Sequence, residues 1–237
     1  MTIKLAVSGS MGRMGQRITA LALADKKFKI AALLERPGAT GSVEGIKISP
    51  SNESLKGCDA LIEFTTPDAT IANLKACVKH KVGMVIGTTG LTDAHKKEIK
   101  KASAKIPIVF SSNMSVGVNV FFKISQMLSK KTPDTYIVNM TEAHHIHKKD
   151  APSGTAKTIA EIIEAASSKK VKNIESIREG EIIGDHKVIF ESADDTIIIF
   201  HHAKSRDIFA KGSLVAAKFL KGKKKGLFNM QDVLDLN

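Results

Sequence analysis

The sequence predicts an α/β chain in two parts: an open parallel sheet wound with helices, then a smaller α+β unit built on a mixed sheet. Three observations carry that expectation. Short apolar runs alternate with helical periodicity through the first half, the first of these runs enters a helix through a glycine-rich loop, and strand-forming runs dominate the later part of the chain. With 237 residues and 43% hydrophobic content there is material for one good core or two modest ones. Domains commonly run to about 100–150 residues, so two are expected: residues 1–114 with 207–237, and residues 115–206.

Ile3 to Ser8 reads as a buried strand, followed by Gly9-Ser10-Met11-Gly12-Arg13-Met14-Gly15 and a helix through Ile18, Leu21 and Ala22. Glycines in such a loop let the backbone turn tightly and let a pyrophosphate approach the helix start without a Cβ in the way. The spacing is GxxGxxG rather than GxGxxG, with Ser10 where the usual first glycine would stand, and a glycine loop also joins strand to helix with no ligand present. The next strand, Phe28 to Leu34, ends in Glu35-Arg36. Glu35 falls about twenty residues past the loop, the interval of the acid that reads an adenosine ribose in a Rossmann-like dinucleotide-binding domain. A carboxylate there favours NADH, while Arg36 suits the 2′-phosphate of NADPH, so either cofactor is expected to serve. A surface Glu-Arg pair at a strand end is the alternative.

Ala60 to Phe64 is strand-like, Thr66-Pro67-Asp68 caps a helix marked by Ile71, Leu74 and Val78, and Val82 to Ile86 is another strand. That strand ends in Gly87-Thr88-Thr89-Gly90, and Ile108 to Phe110 ends in Ser111-Ser112-Asn113-Met114. Ligands of open α/β sheets bind outside the carboxyl ends of strands, so these polar ends are candidate nicotinamide contacts, although each residue type also suits a plain turn. Val116 to Leu128 reads as a helix. Strands are then expected at Thr135 to Thr141, Glu175 to Arg178, Lys187 to Glu191 and Thr196 to His202, and a last helix at Arg206 to Leu220. Ile197 to Phe200 is too continuously apolar to face water on either side, which suggests helices on one face and a partner subunit on the other.

The segment from Glu142 to Thr155 holds three histidines and two lysines just before a helix start. An imidazole titrates near ~6.5 and an ammonium near ~10.4, so the segment offers one group poised at neutral pH and one standing cation. Pro152 and the N-cap candidate Ser153 open a helix whose stripe is Ala156, Ile159, Ala160 and Ile163. The amides of Gly154 and Thr155 at its positive end suit a carboxylate or phosphate. His144, His145 and Lys148 are read as functional, Ile146 and His147 as packing residues. Adjacent strand histidines point to opposite faces, so no metal site is expected.

The formal charge of +12 invites a nucleic-acid reading, and Lys221-Gly222-Lys223-Lys224-Lys225 looks basic enough for one. Base-stacking surfaces need aromatics beside their cations, whereas this chain has no Trp and only Tyr136. A positive field remains useful for attracting small anions. Only Cys58 and Cys77 occur, with no CxxC spacing, no leader after Met1 and no apolar run of about 20 residues, which together suggest a cytoplasmic protein outside the membrane.

Together the glycine loop, Gly87-Thr88-Thr89-Gly90, Asn113 to Asn119, the Glu142 to Thr155 block and the ending Gly226 to Leu234 give the chain its affinity: it resembles the dihydrodipicolinate reductases (4-hydroxy-tetrahydrodipicolinate reductases) of bacterial lysine biosynthesis over nearly its whole length. The resemblance implies a Rossmann-like cofactor domain, a substrate domain on a mixed sheet, and a homotetramer. It implies reduction of a cyclic imine dicarboxylate by NADPH or NADH. It implies His144 as the general acid-base residue, Lys148 as second proton donor, and His145, Gly154 and Thr155 as substrate-binding residues. Gly9, Ser10, Met11, Gly12, Arg13, Met14, Glu35, Arg36, Gly87, Thr88, Thr89, Ser111, Ser112, Asn113 and Met114 would hold the cofactor. One departure is the connection between Arg178 and His186, shorter here than in many members, which bears on the sheet edge and subunit contacts. Competing expectations are another nicotinamide-dependent amino-acid dehydrogenase, or a nucleotide-sensing or nucleic-acid-binding protein.

Overall fold

The structure, a computed structural model, describes residues 2–49 and 51–236. In chain order its elements are β1 (Ile3–Ser8), α1 (Arg13–Ala24), β2 (Phe28–Leu34), β3 (Ser42–Val43), β4 (Ile46–Lys47), β5 (Ala60–Glu63), α2 (Pro67–His80), β6 (Gly83–Ile86), α3 (Asp93–Ala102) and β7 (Pro107–Phe110). There follow α4 (Val116–Lys131), β8 (Ile137–His144), α5 (Gly154–Ala166), β9 (Val171–Arg178), β10 (Asp185–Glu191), β11 (Thr196–His202), α6 (Asp207–Leu220), β12 (Gly226–Phe228) and α7 (Met230–Val233). They divide into two compact units, residues 1–115 with 209–235, and residues 116–208. Among the described residues no helix is long and apolar enough to cross a membrane.

The first unit is a six-stranded sheet in the order β12-β7-β6-β5-β1-β2, parallel throughout. Successive strand residues bury on opposite faces. Leu5, Val7, Leu33 and Ile62 join Ile18 of α1 and Leu214 of α6 in one core, while Ala6, Leu34, Leu61 and Met84 join Leu74 of α2 and Ile99 of α3 in the other. Covering both faces is what makes near-continuous apolar strands favourable, since each fully buried aliphatic side chain contributes roughly 1.5–3 kcal/mol. Thr66 caps α2 through the Ala69 amide, with Pro67 at the first helical position. The chain leaves β1 for β2 on one side and returns through β5 on the other, so the strand order reverses at the carboxyl end of β1. This is where open α/β sheets form a crevice. The edge strand β12 and the β3–β4 hairpin have no counterpart in the sequence reading.

The second unit is a four-stranded mixed sheet, β11-β10-β8-β9, in which β8 and β9 are parallel and the other pairs antiparallel. One face carries Val138, Met140, Val188 and Phe190 against Val118, Phe121 and Phe122 of α4 and Ile159 and Ile163 of α5. The opposite face leaves Ile198 54% and Phe200 60% exposed.

Strand boundaries in this unit differ from expectation. The strand expected to end at Thr141 continues to His144, because β10 starts at Asp185 rather than Lys187 and pairs Asp185 with Ala143 and His186 with Glu142. Cross-strand pairing overrides the weak strand propensity of Glu-Ala-His. His144 therefore stands on the sheet and not in the following loop.

Candidate functional site

The glycine loop is shaped by its own backbone. Gly9 has φ +66, and a Cβ there would meet Phe64 O at 2.9 Å. A Cβ at Gly15 would fall 2.1 Å from Gly9 O, so helix and loop touch directly. Gly12 starts α1 with no side-chain cap. The backbone N–H of Met11 donates to Glu35 Oε2 at 3.0 Å, and that of Arg36 to Glu35 Oε1 at 3.1 Å. The two predicted sequence segments are thereby tied together.

A cleft of about 740 Å³ opens beside the loop, lined by Gly9, Gly12, Leu34, Glu35, Arg36, Thr65 and Ala69 among others. A second hollow of about 460 Å³ adjoins Met11, Gly12, Glu35, Arg36, Ala39 and Thr40. Ser10 Oγ is fully buried at the loop with no partner among the described residues. A glycine-walled cradle with an orphaned hydroxyl, beside an apolar cleft ending in an acid and an arginine, fits the adenosine and pyrophosphate of a dinucleotide. Under the cleft Glu63 is fully buried. It accepts from Asn73 Nδ2 at 2.6 Å and from the Thr65 hydroxyl. Burial pushes its carboxyl up, against the downward pull of Thr65, Asn73, Ser8 and Thr70.

The other predicted cofactor residues lie at the ends of β6 and β7, on the far side of β5 from the glycine loop. Gly87 lies against the Phe64 ring, where a Cβ would clash at 2.3 Å. Thr88 is buried, and its Oγ1 accepts from the Thr65 amide at 3.0 Å. Thr89 and Ser112 are exposed. Ser111 Oγ donates to Asn113 O at 2.9 Å, and the Ser115 amide donates to Asn113 Oδ1 at 2.9 Å. The Met114 side chain belongs to the core, while Met14 is partly buried against it and Arg13 is exposed.

In the second unit the histidine segment gathers at the end of β8. Nδ1 of His144 meets Glu142 Oε2. Arg178 Nη2 donates to Glu142 Oε1 at 2.8 Å, and the Ser153 amide reaches the same oxygen at 3.3 Å. Ser153 caps α5 by accepting from the Ala156 amide at 3.1 Å, and its hydroxyl contacts His186 Nε2 at 3.3 Å. The His186 ring stands edge-on to His144 at 5.3 Å between centroids.

Burial would raise the Glu142 carboxyl, but hydrogen bonds from Arg178, Ser176 and His144 outweigh it and hold the group below the usual carboxylate range. Burial lowers the His144 imidazole against the upward pull of Glu142. Burial, with His144 nearby, pushes His186 down to about 3.

Lys148 is half-buried, with Nζ 2.8 Å from Asp150 Oδ1. The Lys148 contact lowers the Asp150 carboxyl, with smaller contributions from the nearby backbone of Asp150 itself and Gly154. An acid of the same loop therefore stands near the expected anion position at the start of α5 and pairs with Lys148. His145 Nδ1 is buried without a partner among the described residues, and Thr155 is half-buried on the first turn of α5. Ile146 and His147, read as packing residues, are both exposed, and His147 pairs with Glu181 at 3.2 Å. The Ala151–Pro152 peptide is cis.

Glu142, Arg178, His186 and Asp150 carry this arrangement without having been singled out from the sequence. Only Glu142 left a local signal, standing two residues before His144 and so on the same face of a strand.

Residues 3–114 match the family model described as "Dihydrodipicolinate reductase, N-terminus", and residues 117–234 match "Dihydrodipicolinate reductase, C-terminus". The 4-hydroxy-tetrahydrodipicolinate reductase of Nitrosomonas europaea is 40% identical over 264 residues, covering 99% of this chain and 98% of the relative. That of Geotalea daltonii is 40% identical over 265 residues, with 99% of each covered. Both spans exceed the 237 residues of this chain, so the relatives contain internal residues that it lacks. Among solved structures, a dipicolinate-bound dihydrodipicolinate reductase from Paenisporosarcina sp. TG-14 superposes with a TM-score of 0.84 at 22% identity, covering 98% of this chain and 99% of that one. An amine dehydrogenase from Mycobacterium smegmatis gives 0.68 at 10% identity, with 98% of this chain and 96% of that one covered. The architecture alone therefore spans several reactions, and the choice among them rests on sequence and site.

Proposed function

The chain belongs to the dihydrodipicolinate reductase family, and on that premise we propose how its residues share the reaction. The enzyme reduces the cyclic imine dicarboxylate 4-hydroxy-tetrahydrodipicolinate to tetrahydrodipicolinate, in lysine and diaminopimelate biosynthesis, with a nicotinamide cofactor. Residues 1–114 with 207–237 form the cofactor domain, and residues 115–206 the substrate and oligomerisation domain. In the cofactor domain Gly9, Ser10, Met11, Gly12, Arg13 and Met14 cradle the pyrophosphate, and Glu35 and Arg36 read the adenosine ribose. Gly87, Thr88, Thr89 and Ser111 to Met114 border the nicotinamide end. The nicotinamide, when bound, supplies the hydride. NADH and NADPH both serve, since Glu35 suits a ribose diol and Arg36 a 2′-phosphate.

Reduction of a conjugated imine moves electron density toward nitrogen, so the site needs positive charge and then a proton. His144 delivers that proton. Lys148 offsets a substrate carboxylate and acts as the second donor. His145, with the amides and hydroxyl of Gly154 and Thr155, binds the carboxylates and fixes the ring against rotation. The working form is a cytoplasmic homotetramer assembled through the outer face of the mixed sheet.

The observation that carries this proposal is the meeting of His144, Glu142 and the start of α5 within hydrogen-bond reach of one another. The test is oxidation of NADPH and of NADH, followed by loss of absorbance, with freshly generated dicarboxylate substrate. Turnover with aspartate or homoserine semialdehyde but not with that substrate would replace the proposal by an amino-acid dehydrogenase.

A further inference from the structure

Four elements converge on one fully buried carboxylate. Glu142 and His144 alternate onto the same face of β8, where β9 brings Arg178 opposite His144 and β10 brings His186 opposite Glu142. One oxygen of Glu142 meets His144 Nδ1, and the other takes the Arg178 guanidinium at 2.8 Å and the Ser153 amide at 3.3 Å. A buried carboxylate is costly unless fully paired, and here the pairing clamps its direction as well as its charge.

We propose that Glu142 is the positioning residue of this site, its carboxylate binding the Nδ1 proton of His144 so that Nε2 is the atom that exchanges protons with substrate. The proposal rests on the reading of His144 as proton donor. Nε2 is also the nitrogen the fold keeps clear. A Cβ at residue 184 would stand 3.1 Å from it and 3.4 Å from Cδ2, so glycine at 184 leaves its approach open. The short connection that delivers Gly184 is held at both ends, because the Glu179 amide donates to His144 O of β8 at 2.9 Å and the Ala203 amide, just past β11, to Gly184 O at 3.0 Å.

The charged and titratable groups facing His144 are Glu142, Lys148, Arg178 and His186. Of these only Glu142 favours the imidazolium, so removing its charge makes His144 harder to protonate.

The experiment is nitrogen NMR of the full chain with labelled histidine, combined with kcat and KM against pH. In the unsubstituted protein, neutral His144 should carry its proton on Nδ1. Observation of the Nε2–H form would overturn the proposal without any variant. In Glu142→Gln the His144 midpoint should fall by about one pH unit or more. Its kcat should drop about 100-fold, within the range of a positioned proton donor, with the alkaline limb at lower pH and KM changing less than about threefold. Glu142→Asp, which keeps the charge, should recover part of the profile. Gly184→Ala should lower kcat while leaving the Nδ1–H form in place. A Glu142 that merely holds the fold would leave midpoint and tautomer unmoved, and that result sinks the proposal. If instead His144→Gln retained turnover while His144 of the unsubstituted protein showed the Nδ1–H form and a midpoint that fell in Glu142→Gln, the role of His144 would fail and the Glu142–His144 pair would stand.

Discussion

The Lys148 ammonium lies 2.8 Å from the Asp150 carboxylate, so the cation assigned to substrate is neutralised by an acid two residues away. The same carboxylate stands near the Gly154 backbone at the start of α5. An incoming carboxylate must compete with it for Lys148. A partly exposed ion pair of this kind contributes roughly 0.2–1 kcal/mol, so Asp150→Asn should lower KM for the dicarboxylate by up to about fivefold with a smaller change in kcat. Steady-state kinetics at fixed ionic strength measure this. A raised KM would mean that Asp150 holds Lys148 in its working place.

His144→Gln and Lys148→Ala should each reduce kcat/KM by about 100-fold or more, since the first removes the proton donor and the second both a substrate-binding charge and the second donor. Cofactor affinity, followed by quenching or enhancement of reduced-nicotinamide fluorescence, should be nearly unchanged. Either variant keeping its rate while losing cofactor would reverse the assignment.

Arg36 is exposed beside Glu35, whose own oxygens are engaged by the Met11 and Arg36 amides. Arg36→Ala should therefore weaken NADPH about tenfold or more, the worth of a charge-assisted hydrogen bond, and NADH only slightly. Titration of both cofactors checks it, and equal losses would show that Arg36 meets no 2′-phosphate.

Much of this was legible from local pattern, and the exceptions share a cause. Phe28 to Leu34 was read to the residue because an apolar run ends there in two charges. The capped starts of α2 and α5 were visible in Thr66-Pro67 and Ser153. What stayed hidden depends on partners far along the chain. Arg178 reaches Glu142 across 36 residues, and His186 reaches Ser153 across 33, contacts that no periodicity announces. The last residues of β8 became strand only through pairing with β10. Gly87 offers a different lesson, since a glycine read as a ligand contact also has a packing reason in the Phe64 ring.

Buried histidines make stability depend on pH. His186 is pushed down to about 3 in the folded protein, against ~6.5 unfolded. Between those values the unfolded chain binds a proton that the native one refuses. Its contribution is complete above pH ~6.5 and is lost as pH falls, at up to ~1.4 kcal/mol per unit. His144 and His201 shift in the same direction. Glu142, held below its ordinary range, adds a further loss below pH ~4.3. Urea unfolding at a series of pH values should show this slope, and His186→Gln should reduce it by about one proton between pH ~6.5 and ~4.5. An unreduced slope would assign the proton elsewhere.

The outer face of the mixed sheet sets the last expectation. Register places Ile198 opposite Ile189 and Phe200 opposite Lys187 across β10 and β11, while Ile137 stands opposite Glu191 on the other side of β10. Ile137, Ile198 and Phe200 are exposed, and their strand neighbours turn inward to the core of the same unit. An apolar sheet face is costly in water, and covering it with the same face of a second subunit removes that cost through a two-fold contact. Phe200→Glu would put two like charges together across such a contact. Light scattering after size exclusion should give the homotetramer for the unsubstituted chain and a smaller species for the variant, with circular dichroism unchanged. A monomeric unsubstituted chain, or a variant that assembles equally well, would remove this face from the assembly.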